Sequence, residues 1–209
     1  MKRGVFITFE GPDGSGKSTQ VKLLAEYCNA HGYNVLLTRE PGGTPISENI
    51  RNLILDPKNK EMVSSTEALL YAASRAQLVA QVIKPALEAG QIVICDRFLD
   101  SSIAYQGYAR GLGDDVRVIN EFAIQGLQPD MTFFMNLDPE IGMSRVELGG
   151  YKDRLEQEAM DFHRKVYEGY LEVSKIYKDR YINIDASKSA VYISAEISAI
   201  FEKYVAERS

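Results

Sequence analysis

Residues 6–20 read "FITFEGPDGSGKSTQ", and the organisation of the chain follows from them. Gly11, Gly16, Lys17 and Ser18 stand at the spacing Gly-x-x-x-x-Gly-Lys-Ser. In such a loop, successive backbone N–H groups and a helix N-terminus surround phosphate oxygens, the lysine reaches the β and γ groups, and the serine hydroxyl can coordinate magnesium. A glycine-rich surface turn would carry the same letters, but its flanks would differ. Val5 to Phe9 reads as a buried strand, and Thr19 to Ala30 as a helix with Val21, Leu24, Ala25 and Cys28 on one apolar face. Strand, glycine-rich loop and helix in this order predict a nucleoside triphosphate site.

The 209 residues carry a formal net charge of -5. That length suits one α/β domain with a sizeable core. The charge does not suggest a broad basic surface for nucleic acid, so anions must be bound by local arginines, lysines and backbone amides. Cys28 and Cys95 fall within apolar helix and strand patterns, which predicts buried free thiols rather than a disulfide framework or zinc cluster. A core strand begins within the first few residues, leaving no room for a cleaved signal segment, and no apolar run approaches membrane-spanning length. A soluble, cytoplasmic protein without a membrane partner is expected.

Further strands are predicted at Asn34 to Thr38, Gln91 to Cys95, Thr132 to Leu137 and Tyr181 to Ile184. A long helical region starts near Ser64, where Ser64 and Glu67 fit a capping box, and runs towards Gly90 with a bend at Pro85. A last helix directs Ile193, Ile197, Ile200 and Phe201 inward. Strands separated by helices imply crossover connections and a mostly parallel, three-layer sheet. The polar stretch "ELGGYKDR" reads as an irregular flap, part of a mobile lid over about residues 142–154 within one domain spanning residues 1–209.

In "IVICDRF", Asp96 and Arg97 follow a hydrophobic strand, at the sheet edge where the phosphate loop emerges and ligands bind. Asp96 can hold magnesium or orient a hydroxyl, and Arg97 can grip a phosphate; a strand-end salt bridge is the plainer alternative. Asp13, inside the phosphate loop, must face away from bound phosphate, towards a sugar hydroxyl or a shared cation, unless it only shapes an Asx turn. Tyr71 and Arg75 share a helical face distinct from the stripe of Leu69, Ala73, Ala76 and Ala80. They are either a packed ring beside a surface cation or a base-stacking ring beside a base or phosphate ligand. Ser101 and Tyr105 lie one helical turn apart as a second pocket wall, or as a cap and a core ring. Arg145 and Arg154 flank the flap, where they either neutralise a migrating phosphoryl group or belong to a solvated charge run.

The segments "FEGPDGSGKSTQ", "TREPGGTP", "ALLYAASRAQLV", "ICDRFLDSSIAYQG", "DPEIG" and "DRLEQE" together resemble the bacterial thymidylate kinases, a nucleoside-monophosphate kinase family of the P-loop proteins, over nearly the full length. The resemblance implies transfer of the γ-phosphoryl group of ATP to deoxythymidine monophosphate, with magnesium, in a P-loop kinase fold with a short lid. It places ATP on residues Gly11, Pro12, Asp13, Gly14, Ser15, Gly16, Lys17, Ser18 and Thr19, with Asp185 and Ala186 near adenine. Magnesium falls to Ser18, Asp96 and Asp13. Asp13, Arg39, Tyr71, Arg75, Arg97, Ser101, Tyr105 and Gln106 would bind the acceptor, Tyr71 stacking on thymine. The family takes a catalytic arginine either from the position after Asp13, here Gly14, or from an arginine-rich flap. In this chain Glu147 and Gly149 stand where such flaps carry arginines, which leaves Arg145 or Arg154, beside Lys17, Asp13 and Arg97, as the catalytic cations and their partners, with Lys152 behind them. The family is commonly homodimeric, so a homodimer is expected.

Overall fold

A computed structural model describes residues 3–150 and 152–208; Tyr151, within the predicted lid, lies outside the described residues. The described elements are, in order, β1 (Phe6–Glu10), α1 (Lys17–Ala30), β2 (Val35–Arg39), α2 (Pro45–Leu55), α3 (Ser64–Leu78), α4 (Lys84–Glu88), β3 (Ile92–Asp96), α5 (Leu99–Ser102), α6 (Asp115–Ile124), β4 (Met131–Asn136), α7 (Pro139–Leu148), α8 (Met160–Ile176), β5 (Tyr181–Asp185) and α9 (Ala190–Arg208). Two π-helical segments, Val79–Ile83 and Ile103–Ala109, link α3 to α4 and extend α5.

The strands form one parallel sheet in the order β2-β3-β1-β4-β5. From β1 the chain goes to the edge strand β2 and returns to β3 beside β1, then crosses to β4 and β5 on the other side, so the connections leaving β1 and β3 run in opposite directions. Such a reversal opens a crevice at the carboxyl ends of the strands. Register keeps those ends level: Phe9 pairs with Asp96 and Phe133, and Arg39 with Asp96.

Alternation along the strands builds the two core layers. Ile7, Phe9, Ile92, Ile94, Met131, Phe133 and Met135 face α1 and α9 in one cluster, which includes Ile193, Ile197 and Phe201 as expected. Phe6, Val93 and Cys95 face the opposite layer with Leu78, Phe98 and Val173. Each fully buried aliphatic or aromatic side chain contributes about 1.5–3 kcal/mol, so these layers supply the rigidity on which the loops at the sheet edge rest. Cys28 and Cys95 are buried free thiols.

Local expectations fared differently. The helical region does start at Ser64, but Val63 is the N-cap and no side chain caps it. Glu67 is fully buried and turned inward to Arg110 and Arg154, so it is unavailable to close a capping box. The expected bend at Pro85 is a π-helical turn just before it, which accommodates a residue that lacks an N–H and crowds the preceding turn. On α3 the buried face carries Glu67, Ser74 and Arg75 beside Ala68, Ala72 and Leu78, while Leu69 and Ala73, and Ala80 just beyond the helix, are exposed. Charge pairing inside the molecule turns Glu67 and Arg75 inward together with these apolar residues, and leaves the Leu69 stripe outside. The flap is also more regular than "ELGGYKDR" suggests, because α7 continues through Glu147 and Leu148.

Candidate active site

The loop between β1 and α1 bounds one end of a cavity of about 730 Å³ at the carboxyl edge of the sheet. Gly14, Gly16, Lys17, Ser18 and Thr19 line it. Lys17 turns back on its own loop, donating to the carbonyls of Gly11 at 3.0 Å and Pro12 at 2.7 Å. Burial, followed by repulsion from Arg97, lowers its pKa to about 8. Ser18 Oγ donates to Asp96 Oδ2 at 2.6 Å. Two hard oxygen donors facing phosphate space suit magnesium, which takes few protein ligands and completes its shell with phosphate and water. Among the described residues no cluster of three or more His, Cys, Asp or Glu side chains is grouped to hold a metal.

At the middle of the cavity, Arg97 sits just past β3 with a φ of 70°, a left-handed conformation uncommon for a residue other than glycine. Its N–H donates to Phe9 O at 2.9 Å. The guanidinium reaches Gly11 O at 3.0 Å, Tyr170 OH at 2.8 Å and Asp13 Oδ1 at 2.5 Å. Tyr105 OH donates to the other Asp13 oxygen at 2.7 Å. Burial raises the Asp13 pKa, but Arg97 and Lys17 outweigh it and hold the carboxyl below its ordinary value. In this arrangement both Asp13 oxygens are bonded to Arg97 and Tyr105, and Asp13 lies within the same cavity lining as Ser18 and Asp96.

The far end is lined by Arg39, Arg51, Leu55, Tyr71, Ser101, Ser102 and Gln106. Arg39 makes a two-pronged bond to Glu48 at 2.8 and 3.0 Å. Arg51 donates to Pro41 O at 2.9 Å. Gln20, Ala186, Lys188, Ala190 and Ile193 line a further recess of the same cavity, where Gln20 donates to the Ala190 carbonyl at 3.0 Å.

The thymidylate kinase family model matches residues 9–197. The chain belongs to the thymidylate kinase family. It is 49% identical over 205 residues to a thymidylate kinase of Geobacillus sp. (strain WCH70), an alignment covering 96% of this chain and 98% of the relative. It is 50% identical over 209 residues to one of Lactobacillus helveticus (strain DPC 4571), covering 98% and 99%. The crystal structure of thymidylate kinase from Ehrlichia chaffeensis superposes with a TM-score of 0.78 at 37% identity, covering 95% of this chain and 99% of that one. The α/β fold expected from the phosphate loop is therefore that of the thymidylate kinases. No described helix is long and apolar enough to cross a membrane.

Within this family frame, several of the expected site residues are engaged in internal bonds. Arg75 is 1% exposed and is not among the residues lining the cavity. Its donors are taken by Glu40, Ser102, Asn120 and the Phe98 carbonyl. It lies beneath the floor and positions Ser102, which sequence reasoning missed. Arg154 is likewise buried, bound to Glu67 at 2.6 Å and to Ile54 O at 2.7 Å, and does not line the cavity. It anchors the segment after the lid, leaving Arg145 as the lid arginine that does line the cavity. Lys152 is held by Glu147 at 3.0 Å. Asp185 accepts from Ser187 and so shapes its loop, while Ala186 lines the recess. Gly11 and Pro12 serve through their carbonyls. Arg51 was missed because α2 was missed, although Thr44 followed by Pro45 is a helix start signal: Thr44 Oγ1 accepts from Ser47 N at 3.0 Å.

The structure also explains Gly14. It has a φ of 72°, and a Cβ there would stand 2.0 Å from the carbonyl oxygen of Gly142 in the first turn of α7. A Cβ on Gly142 would stand 2.2 Å from the Asp13 carbonyl oxygen. This backbone contact excludes an arginine at position 14. One turn after Gly142, the same helix presents Arg145, which donates to Gly14 O at 3.2 Å. Gly142→Ala is expected to push α7 off the loop and lower kcat about 100-fold, the scale of a 1 Å misplacement. Since alanine favours helix, that loss would not come from unfolding α7; steady-state kinetics with a circular dichroism check measures both.

Proposed function

We propose that the protein transfers the γ-phosphoryl group of ATP to deoxythymidine monophosphate in the cytoplasm, as a homodimer, with a mobile lid over residues 142–154 of a single domain. Phosphorylation of deoxythymidine monophosphate is the activity of its family. The observation that carries the finer assignment is one continuous cavity, with the phosphate loop and the Lys188 recess at one end and an aromatic, amide and hydroxyl pocket at the other. Two nucleotides fit head to head across Arg97.

On binding, the loop amides and Lys17 exchange their internal partners for donor phosphate oxygens. Ser18 and Asp96 are the residues that would hold magnesium, which would supply charge neutralisation there. Arg39, Arg51 and Arg97 hold the acceptor phosphate, so that one of its oxygens points at the γ-phosphorus. The new P–O bond forms there as the bond to the β-phosphate bridge oxygen breaks, and Arg145 meets the charge spreading over the three equatorial oxygens. Asp13 and Tyr105 face the sugar, Tyr71 stacks on the base, and Gln106 bonds to its edge. Closure of α7 and the residues after it excludes water, the competing acceptor.

The homodimer is supported by one surface. Ile46 and Leu53 on α2, Leu69 on α3, and Val118 and Phe122 on α6 are large, exposed and apolar, and these three helices pack side by side. Phe122 is 87% exposed, which a second copy of the chain would relieve.

An ATP-dependent assay across nucleoside monophosphates tests the assignment: deoxythymidine monophosphate should be the preferred acceptor, with little hydrolysis when no acceptor is present. A strong preference for another base, or hydrolysis as fast as transfer, would overturn it. In sedimentation equilibrium the chain is expected at twice its monomer mass, and Phe122→Asp at the monomer mass. Lys17 adds a pH signature. Its pKa of about 8 lies below the unfolded value, so folding stability gains from this group as pH rises from about 8 towards about 10.4. A bound triphosphate favours the charged form, so ATP affinity moves the opposite way, complete below about pH 8 and lost above it by up to about tenfold per pH unit. Calorimetry between about pH 7.5 and 9.5 should show that fall in the wild type and a flat profile in Lys17→Met.

A further inference from the structure

Glu67 is fully buried on α3, one turn before Tyr71, yet it does not touch the cavity. Its Oε1 accepts from Gln106 Nε2 at 2.9 Å and its Oε2 from Arg154 Nη2 at 2.6 Å. Arg110 donates to both oxygens, at 3.3 and 3.1 Å, and pairs with Glu158 at 2.7 Å. Burial alone would raise the Glu67 pKa; the bonds from Arg110, Gln106 and Arg154 prevail and lower it.

An ionised carboxylate only accepts hydrogen bonds. Gln106 must therefore turn its NH₂ towards Glu67 and its carbonyl the other way. Gln106 is 1% exposed, lines the cavity, and its Oε1 is buried without a hydrogen-bond partner among the described residues. A buried amide oxygen left in this state lacks a donor and is costly until one arrives. Thymine presents an N–H at position 3; cytosine has a bare acceptor nitrogen there. The same carboxylate holds Arg154, whose N–H also donates to Leu55 O at 3.2 Å, and Leu55 lines the cavity.

The geometry points to Glu67 as a positioning residue for acceptor choice: its carboxylate locks the Gln106 amide with the oxygen towards the base, and through Arg154 ties that pocket to the foot of the lid. The assignment rests on the base-pocket role of Gln106 proposed above. Replacing the carboxylate by an amide would let position 67 donate as well as accept, so that Gln106 could turn over and offer its NH₂ to cytosine.

The test is a double-mutant cycle on Glu67→Gln and Gln106→Ala, reading KM for deoxythymidine monophosphate, KM for ATP, kcat, and the preference for deoxythymidine over deoxycytidine monophosphate. Gln106→Ala should raise the acceptor KM about tenfold, the scale of one lost hydrogen bond, and leave the ATP KM alone. Glu67→Gln should cut the base preference about tenfold and also lower kcat. In the double variant the KM and preference effects should not multiply, because both act through one amide. Arg154→Gln should reproduce the kcat loss without the change in preference. Glu67→Asp keeps an acceptor-only group, so it should keep the preference while raising the acceptor KM, and it stands in if Glu67→Gln does not fold. Unchanged preference in folded Glu67→Gln, fully multiplicative effects, or lost preference in Glu67→Asp would each overturn the positioning role. A normal acceptor KM in Gln106→Ala would instead remove the base-pocket role beneath it.

Discussion

Arg97 is the tie on which the rest of the site depends. One guanidinium binds the carbonyl of Gly11 in the phosphate loop, Asp13 in the same loop, and Tyr170 on α8. Below it, Ser101 and the Phe98 N–H donate to Glu10 at 2.6 and 2.7 Å, so the end of β1 is stitched to the start of α5. Burial, followed by repulsion from Asp100, raises the Glu10 pKa to about 8. The strained backbone of Arg97 persists because the sheet register and these bonds leave it no alternative. A phosphate that bound this arginine would meet a group already aimed by the phosphate loop, α5 and α8.

The cavity carries many charges, and each major cation has an internal partner: Lys17 its own loop carbonyls, Arg39 the Glu48 carboxylate, Arg97 the Asp13 carboxylate. Buried charges without partners cost several kcal/mol each. Nucleotide binding is then an exchange of one set of charge-assisted bonds for another. Such an exchange yields modest net affinity but strong discrimination, because a ligand lacking the right phosphates leaves the cations with nothing better than what they had.

Much of this was legible in the sequence. The phosphate loop, the strand before it and the Asp96–Arg97 pair are local patterns whose chemistry requires particular letters at particular spacings. The depth of Arg75, Glu67 and Arg154 was not legible, since a charged letter on a helix reads as surface and only tertiary pairing brings it inside. Arg75 resembled a ligand because it lies one turn after Tyr71, yet the helix carries it one turn deeper, where Glu40 and Asn120 meet it. Arg51 escaped although its helix was legible, with its start written in Thr44 and Pro45 and Ile46, Ile50, Leu53 and Ile54 recurring at helical spacing.

The two glycines at the loop and lid impose a consequence on catalysis. With a side chain excluded at position 14, the cation nearest the loop from the lid is Arg145, on a helix that meets the loop through the Gly14–Gly142 backbone approach and the Arg145 bond to Gly14 O. That contact contributes little energy by itself, and the ion pairs holding α7 from behind, such as Arg164 with Glu140 at 2.5 Å, are exposed at 52% and 61%; pairs of this kind are worth at most about 1 kcal/mol. Arg145 is carried by a helix that buries Pro139, Gly142 and Met143, whereas Arg97 is mounted on the sheet. On the proposed mechanism, the arginine that grips the acceptor phosphate is fixed by the sheet while Arg145 rides on the lid helix, so that closing of the lid and arrival of the catalytic charge would be a single event.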